Sequence, residues 1–279
     1  MARCALSTSS YVNIVTMMEQ PRPMQIREFR QNEQRILITA DADALSHAAA
    51  DRIIEHANAA IADHGTFYLA LSGGSTPRHL HQVLADPANR QRIPWDKVHI
   101  YFGDERNVPS EHPDSNYRMA MDTLLNKVPI PVSQVHAIPT GCDDMQDCAD
   151  QYAELLTSVP QQSGRPCFDL ILLGMGNDGH TASLFPQTAI LQERERNVAA
   201  VFVSKLDSWR VSLTYPVLNQ AKAIMVLVSG AAKADVLYEV FNEAMHNYPI
   251  QGIRNRNLEW YVDMAAAVRL IESDVGISG

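Results

Sequence analysis

The sequence predicts an α/β fold, a single doubly wound, mostly parallel sheet with helices on both faces. Three observations lead there. Short apolar runs of strand length recur at 66–71, 98–102, 168–173 and 223–228, each ends in a glycine-bearing turn, and helical stretches alternate with them. In such a sheet the ligand crevice lies beyond the carboxyl ends of the strands, so function is expected in the turns. The length of 279 residues suits one large α/β domain or two smaller ones. No internal repeat or long linker divides the chain, which favours one domain over 25–279 behind an extension, 1–24, expected to be disordered.

That extension carries Met17, Met18 and Met24 with prolines at 21 and 23, and the fold is expected to begin near Gln25 with the short strand IREFR. Asp41 and Asp43 precede an alanine-rich helix, Ala44 to Ala62, whose positive N-terminal end they suit and which Gly65 stops. TFYLAL at 66–71 is the next strand. It runs into Ser72, Gly73, Gly74, Ser75 and Thr76, with Pro77 in the first turn of the following helix. Unpaired amides at that helix start suit a phosphate, with the hydroxyls of Ser75 or Thr76 beside them. A plain tight turn with a Ser or Thr cap explains the same residues.

Val98 to Phe102 repeats the pattern, and Gly103, Asp104, Glu105 and Arg106 follow at once. The charged trio reads either as groups that position a polyhydroxylated ligand or as an internal ion-pair network. A loop over 108–116 leads to a helix from Tyr117 to Leu125; 141–148 marks another turn, and Ala149 to Leu156 another helix. The strand from Phe168 to Leu173 then ends in Gly174, Gly176, Asn177, Asp178, Gly179 and His180, a polar pair at a strand exit. Ala199 to Val203 is a strand, and from Arg210 onward Val211 and Leu213 alternate with Ser212 and Thr214. After the strand Ala223 to Val228, Lys233 falls in the first turn of a helix reaching about Met245. A lysine there opposes the helix dipole unless it faces an anion or a carboxylate, although a solvent-facing lysine is the plainer alternative. Leu258 to Val262 is the last strand, with Trp260 in the core, and Asp263 caps an Ala-rich terminal helix.

Composition narrows the chemistry. With 46% hydrophobic and 20% charged residues the chain is an ordinary globular protein, and a net charge of -9 argues against a duplex nucleic-acid binder but not against an anionic small molecule. Cys4, Cys142, Cys148 and Cys167 form no close CxxC pair, so neither a disulfide framework nor a zinc site is expected and the setting reads as a reducing cytoplasm. No apolar run is long enough for a membrane helix, and no cleavable leader is evident. HExxH, an Asp-rich triad and GxSxG are all missing, and the glycines at 73 and 74 lack the GxGxxG spacing of a nicotinamide site. What remains is a metal-free site with an anion cradle: His180 as base, Asp178 as its charged or orienting neighbour, and Arg210 and Lys233 as phosphate partners.

The segments LSGGSTP (71–77), FGDERNVP (102–109, with Ser115 and Asn116 soon after) and LLGMGNDGHTASLFP (172–186) carry a resemblance. With RVSLTYPVLNQA (210–221), VSGAAKADVL (228–237) and PIQGIR (249–254), in this order, the chain resembles the 6-phosphogluconolactonase family over roughly 25–275. The resemblance implies a Rossmann-like fold of the sugar-phosphate isomerase type. It implies hydrolysis of 6-phospho-D-glucono-1,5-lactone to 6-phosphogluconate, the second step of the pentose phosphate pathway, with no metal or organic cofactor. The implied partner is a small phosphorylated sugar lactone; charge and hydropathy point to neither nucleic acid nor membrane, and the sequence leaves monomer and small homo-oligomer both open. His180 is implied as the base that activates water, the turn Gly73, Gly74, Ser75 and Thr76 with Arg210 and Lys233 as the phosphate grip, and Asp104, Glu105 and Arg106 as the loop at the sugar-acid end. Glucosamine-6-phosphate deaminases and isomerases are the alternative; they resemble the chain in the first turn and in GxDGH. Their pattern has an acidic residue five positions after the histidine, where this chain has Phe185, and tends to Asp-Glu-Tyr where it has Asp104, Glu105 and Arg106. A catalytically silent sugar-phosphate-binding protein would need a damaged catalytic position, yet His180, Asp178 and the first turn are intact.

Overall fold

The computed structural model describes residues 27–31, 34–242 and 248–275; the extension 1–24 and the expected helix end near Met245 lie outside them. The strands are β1 (Arg27–Gln31), β2 (Gln34–Thr39), β3 (Phe67–Leu71), β4 (Val98–Phe102), β5 (Asp104–Arg106), β6 (Gln161–Gln162) and β7 (Arg165–Pro166), followed by β8 (Leu170–Gly174), β9 (Val198–Val203), β10 (Ser208–Leu213), β11 (Ile224–Val228) and β12 (Leu258–Asp263). The helices are α1 (Ala42–His64), α2 (Ser75–Ala85), α3 (Pro87–Arg90), α4 (Asn116–Thr123), α5 (Met145–Leu155), α6 (Tyr215–Gln220), α7 (Ala234–Asn242) and α8 (Met264–Val275).

Seven strands form the central sheet in the order β1-β2-β12-β11-β8-β3-β4, all parallel except β1, which runs antiparallel to β2. Every residue of β11 is buried, as a strand covered on both faces must be, which is why its sequence is a continuous apolar run. The helix ends follow local chemistry. Asp41 Oδ1 accepts from the Ala44 amide at 2.8 Å to start α1, and Gly65 ends it at a φ of 87°. Asp263 Oδ1 accepts from the Ala266 amide at 2.8 Å at the start of α8. Helix α5 begins at Met145, earlier than the expected Ala149, because Asp144 caps it through the Gln146 amide at 2.8 Å.

The strand order locates the crevice. From β3 the chain passes through α2 to β4 on one side, whereas from β8 it proceeds to β11 and β12 on the other. The reversal falls between β3 and β8, which pair directly, and opens a gap at their carboxyl ends. A second, antiparallel sheet, β5-β10-β9, stands beside it. Residues 104–106 are thus a short strand, with Arg106 directly opposite Arg210 in the ladder.

Two expectations need correction. Cys142 and Cys148 form a disulfide, with Cα atoms 5.8 Å apart, so the chain does carry a bridge; Cys167 is free and buried. Six residues that would span roughly 20 Å when extended are folded back here by the start of α5, a compaction that cysteine spacing alone does not reveal. Lys233 closes a 3-10 turn, Ala231–Lys233, immediately before α7 instead of lying in the helix's first turn. Among the described residues no helix is long and apolar enough to cross a membrane.

Candidate active site

The turn after β3 forms one wall of the crevice. Gly74 precedes α2 at a φ of 108°, a conformation that favours glycine, and a Cβ on Gly73 would lie 1.9 Å from Asn116 Oδ1. Both glycines are therefore required by the geometry. No side chain caps the start of α2, so the amides of its first turn face the crevice without a side-chain acceptor, a natural seat for an anion.

The turn after β8 supplies the opposite wall and the imidazole. Gly176 N–H donates to His180 O at 2.8 Å and Gly179 N–H to Gly176 O at 3.0 Å, closing the loop tightly on itself. A Cβ at Gly176 would stand 2.0 Å from His180 Nδ1. His180 Nδ1 is 2.5 Å from Asp178 Oδ1. A carboxylate only accepts, so Nδ1 carries the proton and Nε2 keeps its lone pair. The ring stacks on Phe185, centroids 4.0 Å apart. Burial pushes the His180 pKa down to about 4; Asp104 works against that shift, and Arg210, Lys233 and Arg106 reinforce it. From outside, the Ile250 amide donates to Gly179 O at 2.9 Å and the Tyr248 ring packs on Gly179, whose φ is 67°.

The second sheet brings in the cations. Arg106 and Arg210 each bury an Nε that has no hydrogen-bond partner, and only one other such side-chain atom, His81 Nε2, exists among the described residues. Two of these three orphaned atoms are guanidinium N–H donors on residues that line one cavity, which marks a place for acceptors supplied by a ligand. Burial lowers the pKa of Arg210 and of Lys233, as expected for cations withdrawn from water without a close counter-ion. Asp104, also buried, is held by Ser183 Oγ donating to Oδ2 at 2.6 Å and by Asn116 Nδ2 donating to Oδ1 at 3.3 Å.

These walls enclose a cavity of about 230 Å³. Nine of the eleven residues singled out in the sequence line it: Gly73, Gly74, Ser75, Thr76, Asp104, Arg106, His180, Arg210 and Lys233. Asp178 stands behind His180, in keeping with an orienting neighbour. Glu105 departs from the expectation of a ligand contact, because its carboxylate is turned to protein. It accepts from the amides of Arg106, Asn116 and Tyr117 at 2.9, 2.8 and 2.8 Å and from Ser115 Oγ at 3.1 Å, and so anchors the start of α4. Burial nonetheless raises its pKa.

Residues 40–262 match the family model described as glucosamine-6-phosphate isomerases/6-phosphogluconolactonase. The chain belongs to this family. Among its members, a 6-phosphogluconolactonase of Nostoc sp. is 38% identical over 85% of this chain and 99% of its own. One from Synechocystis sp. is 42% identical over 76% of this chain and 88% of its own. The solved 6-phosphogluconolactonase of Trypanosoma cruzi is similar at a TM-score of 0.77 with 28% identity, covering 88% of this chain and 99% of that one. A monomeric glucosamine-6-phosphate deaminase shares the family fold at a TM-score of 0.72 and 17% identity.

Several residues of the site escape sequence reasoning. Ser183, which holds Asp104, and Tyr248, which braces Gly179, are ordinary polar or aromatic residues far from their partners in the chain, and Asn116, named in the sequence only as part of a motif, has its role on Asp104 set by the fold. Only the glycines could have hinted at them. Gly73 and Gly179 each leave no room for a Cβ because Asn116 and Tyr248 occupy the space.

Proposed function

We propose that the chain hydrolyses 6-phospho-D-glucono-1,5-lactone to 6-phospho-D-gluconate, with His180 as general base. One observation carries the assignment of roles: the His180 imidazole, its Nδ1 facing Asp178, borders a cavity that is also lined by three cations, Asp104 and an uncapped helix start. The first-turn amides of α2, Arg210 and Lys233 take the phosphate. Nε2 of His180 removes a proton from water as it attacks C1, and Asp178 stabilises the imidazolium that forms. The tetrahedral oxyanion then collapses, the bond from C1 to the ring oxygen breaks, and the imidazolium returns its proton to that oxygen. Donors available to the oxyanion are Arg106 and the backbone amides of the two glycine turns. The lactone opens slowly even in water, so orientation plus a base suffices and no covalent nucleophile is needed.

The low pKa of His180 fits this cycle. It keeps the free enzyme's base deprotonated at neutral pH, while an arriving phosphate dianion offsets Arg210 and Lys233 and so raises the basicity of the imidazole when substrate is bound. Deaminase chemistry has less support, because position 185 offers a phenyl ring packed on the imidazole and no carboxylate. A phosphorylated lactone does not cross a bilayer unaided, so the enzyme works where its substrate is made, for which we propose the cytoplasm. The test compares wild type with His180→Ala on freshly made lactone, subtracting the spontaneous rate, with glucosamine 6-phosphate in parallel. Hydrolysis that falls about 100-fold or more in the variant supports the proposal. Wild-type hydrolysis equal to the blank, with glucosamine 6-phosphate consumed, replaces it by the deaminase reading.

A further inference from the structure

Beyond the cavity, one cation is tied to the catalytic turn without touching the ligand space. Lys205 sits in the turn Ser204–Leu206 that joins β9 to β10. Its Nζ forms an ion pair with Asp178 Oδ2, on the oxygen that His180 leaves free, since Nδ1 of His180 faces Oδ1. The same Nζ lies 4.8 Å from the centroid of the Phe185 ring, the ring on which His180 stacks. Lys205 does not line the substrate cavity; with Asp178 and Phe185 it lines a neighbouring groove. Both groups that hold the imidazole are therefore held in turn by this lysine.

We propose that Lys205 is a positioning residue for lactone hydrolysis: by pairing with Asp178 Oδ2 it fixes the carboxylate so that Oδ1 orients His180 with Nε2 free as the base. The inference rests on the reading of His180 as that base. A carboxylate beside an imidazole has two opposed effects. It holds one tautomer, which helps the base, and it favours the imidazolium, which removes the base. A cation on the far oxygen keeps the first effect and offsets the second. The charged groups facing His180 are Asp178 from its own turn, Lys205 from the β9–β10 turn, Asp104 and Arg106 from β5, Arg210 from β10 and Lys233 from the turn before α7. Of these, Lys205 is the one that acts through Asp178; Arg106, Arg210 and Lys233 border the cavity itself.

The experiment is steady-state kinetics of Lys205→Met, Lys205→Arg, Asp178→Asn and the Lys205→Met/Asp178→Asn double variant between pH 4.5 and 7.5, as rough limits, with His180→Ala alongside. Titration of the substrate phosphate is common to all variants and cancels in the comparison. For Lys205→Met we expect kcat lower by about 10-fold, KM within about twofold, and the acid limb moved up by about half to one pH unit, because Asp178 then acts on His180 uncompensated. Lys205→Arg restores most of both, and in the Asp178→Asn background Lys205→Met has no further effect. A rise in KM with kcat unchanged would make Lys205 a substrate contact and overturn the proposal. So would an equal loss of kcat in the Asp178→Asn background, or a wild-type profile for Lys205→Met. If His180→Ala stays active, the base itself is misassigned and the proposal falls with it; if His180→Ala is inactive while Lys205→Met behaves as wild type, only the role of Lys205 fails.

Discussion

Titrating His180 directly is the most demanding test of the site's electrostatics. The ring is part-buried against Phe185 and surrounded by more cationic than anionic neighbours, and its pKa is lowered from 6.5 to about 4. The sign follows from both causes, since burial and cations each disfavour the imidazolium. With a midpoint near 4, about one-tenth of His180 is protonated at pH 5; an ordinary histidine at about 6.5 would be about 97% protonated there. That contrast is about tenfold in the charged fraction and about thirtyfold in the neutral base. Ring-labelled histidine NMR of the free enzyme resolves it, with the His180 signal assigned by its absence from His180→Ala. Adding 6-phosphogluconate should then raise the midpoint, because the bound dianion offsets Arg210 and Lys233. A free-enzyme midpoint at or above 6.5, or a midpoint that falls on adding the product, would refute this account of how the base is kept ready.

Three further outcomes follow from the geometry. Arg210→Met removes charge-assisted bonds to the phosphate and should raise KM about 10- to 100-fold with a smaller change in kcat, as initial rates across substrate concentration will report; an unchanged KM would take Arg210 out of the phosphate grip. Gly176→Ala puts a methyl group where His180 Nδ1 now lies, so kcat should fall about 100-fold or more while the circular dichroism spectrum is retained; wild-type kcat would mean that the turn relaxes freely. His81 is fully buried and its pKa is lowered to about 4 by burial. Its Nδ1 donates to Thr123 Oγ1, whose own proton goes to Met119 O, so Nε2 has no partner. A lowered folded-state pKa means that the unfolded chain binds the proton first, so stability is fully present above about pH 6.5 and declines toward pH 4, by up to about 3 kcal/mol from this residue. Urea midpoints measured across that range, in wild type and in His81→Gln, will show whether the acid loss depends on His81.

Local chemistry alone settled much of this protein. Largely apolar runs at 67–71, 98–102 and 224–228 specify strands covered on both faces, and Asp41, Gly65 and Asp263 bound their helices by bonds that reach only three or four residues. The glycine turns were legible for the same reason: a positive φ, as at Gly74 and Gly179, is a property of the position itself. What lies between such positions was not legible. Strand order, which puts the reversal between β3 and β8 and so makes two turns about a hundred residues apart into facing walls, depends on which apolar surfaces meet, and an apolar run does not name its partner. The same holds for the ladder that sets Arg106 opposite Arg210, for the turning of Glu105 onto the start of α4, for the Cys142–Cys148 bridge and for the reach of Lys205 to Asp178. Identical residue types in sequence become a ligand contact, a helix anchor or a positioning group only when packing decides which side chain each one meets and how much water is left between them.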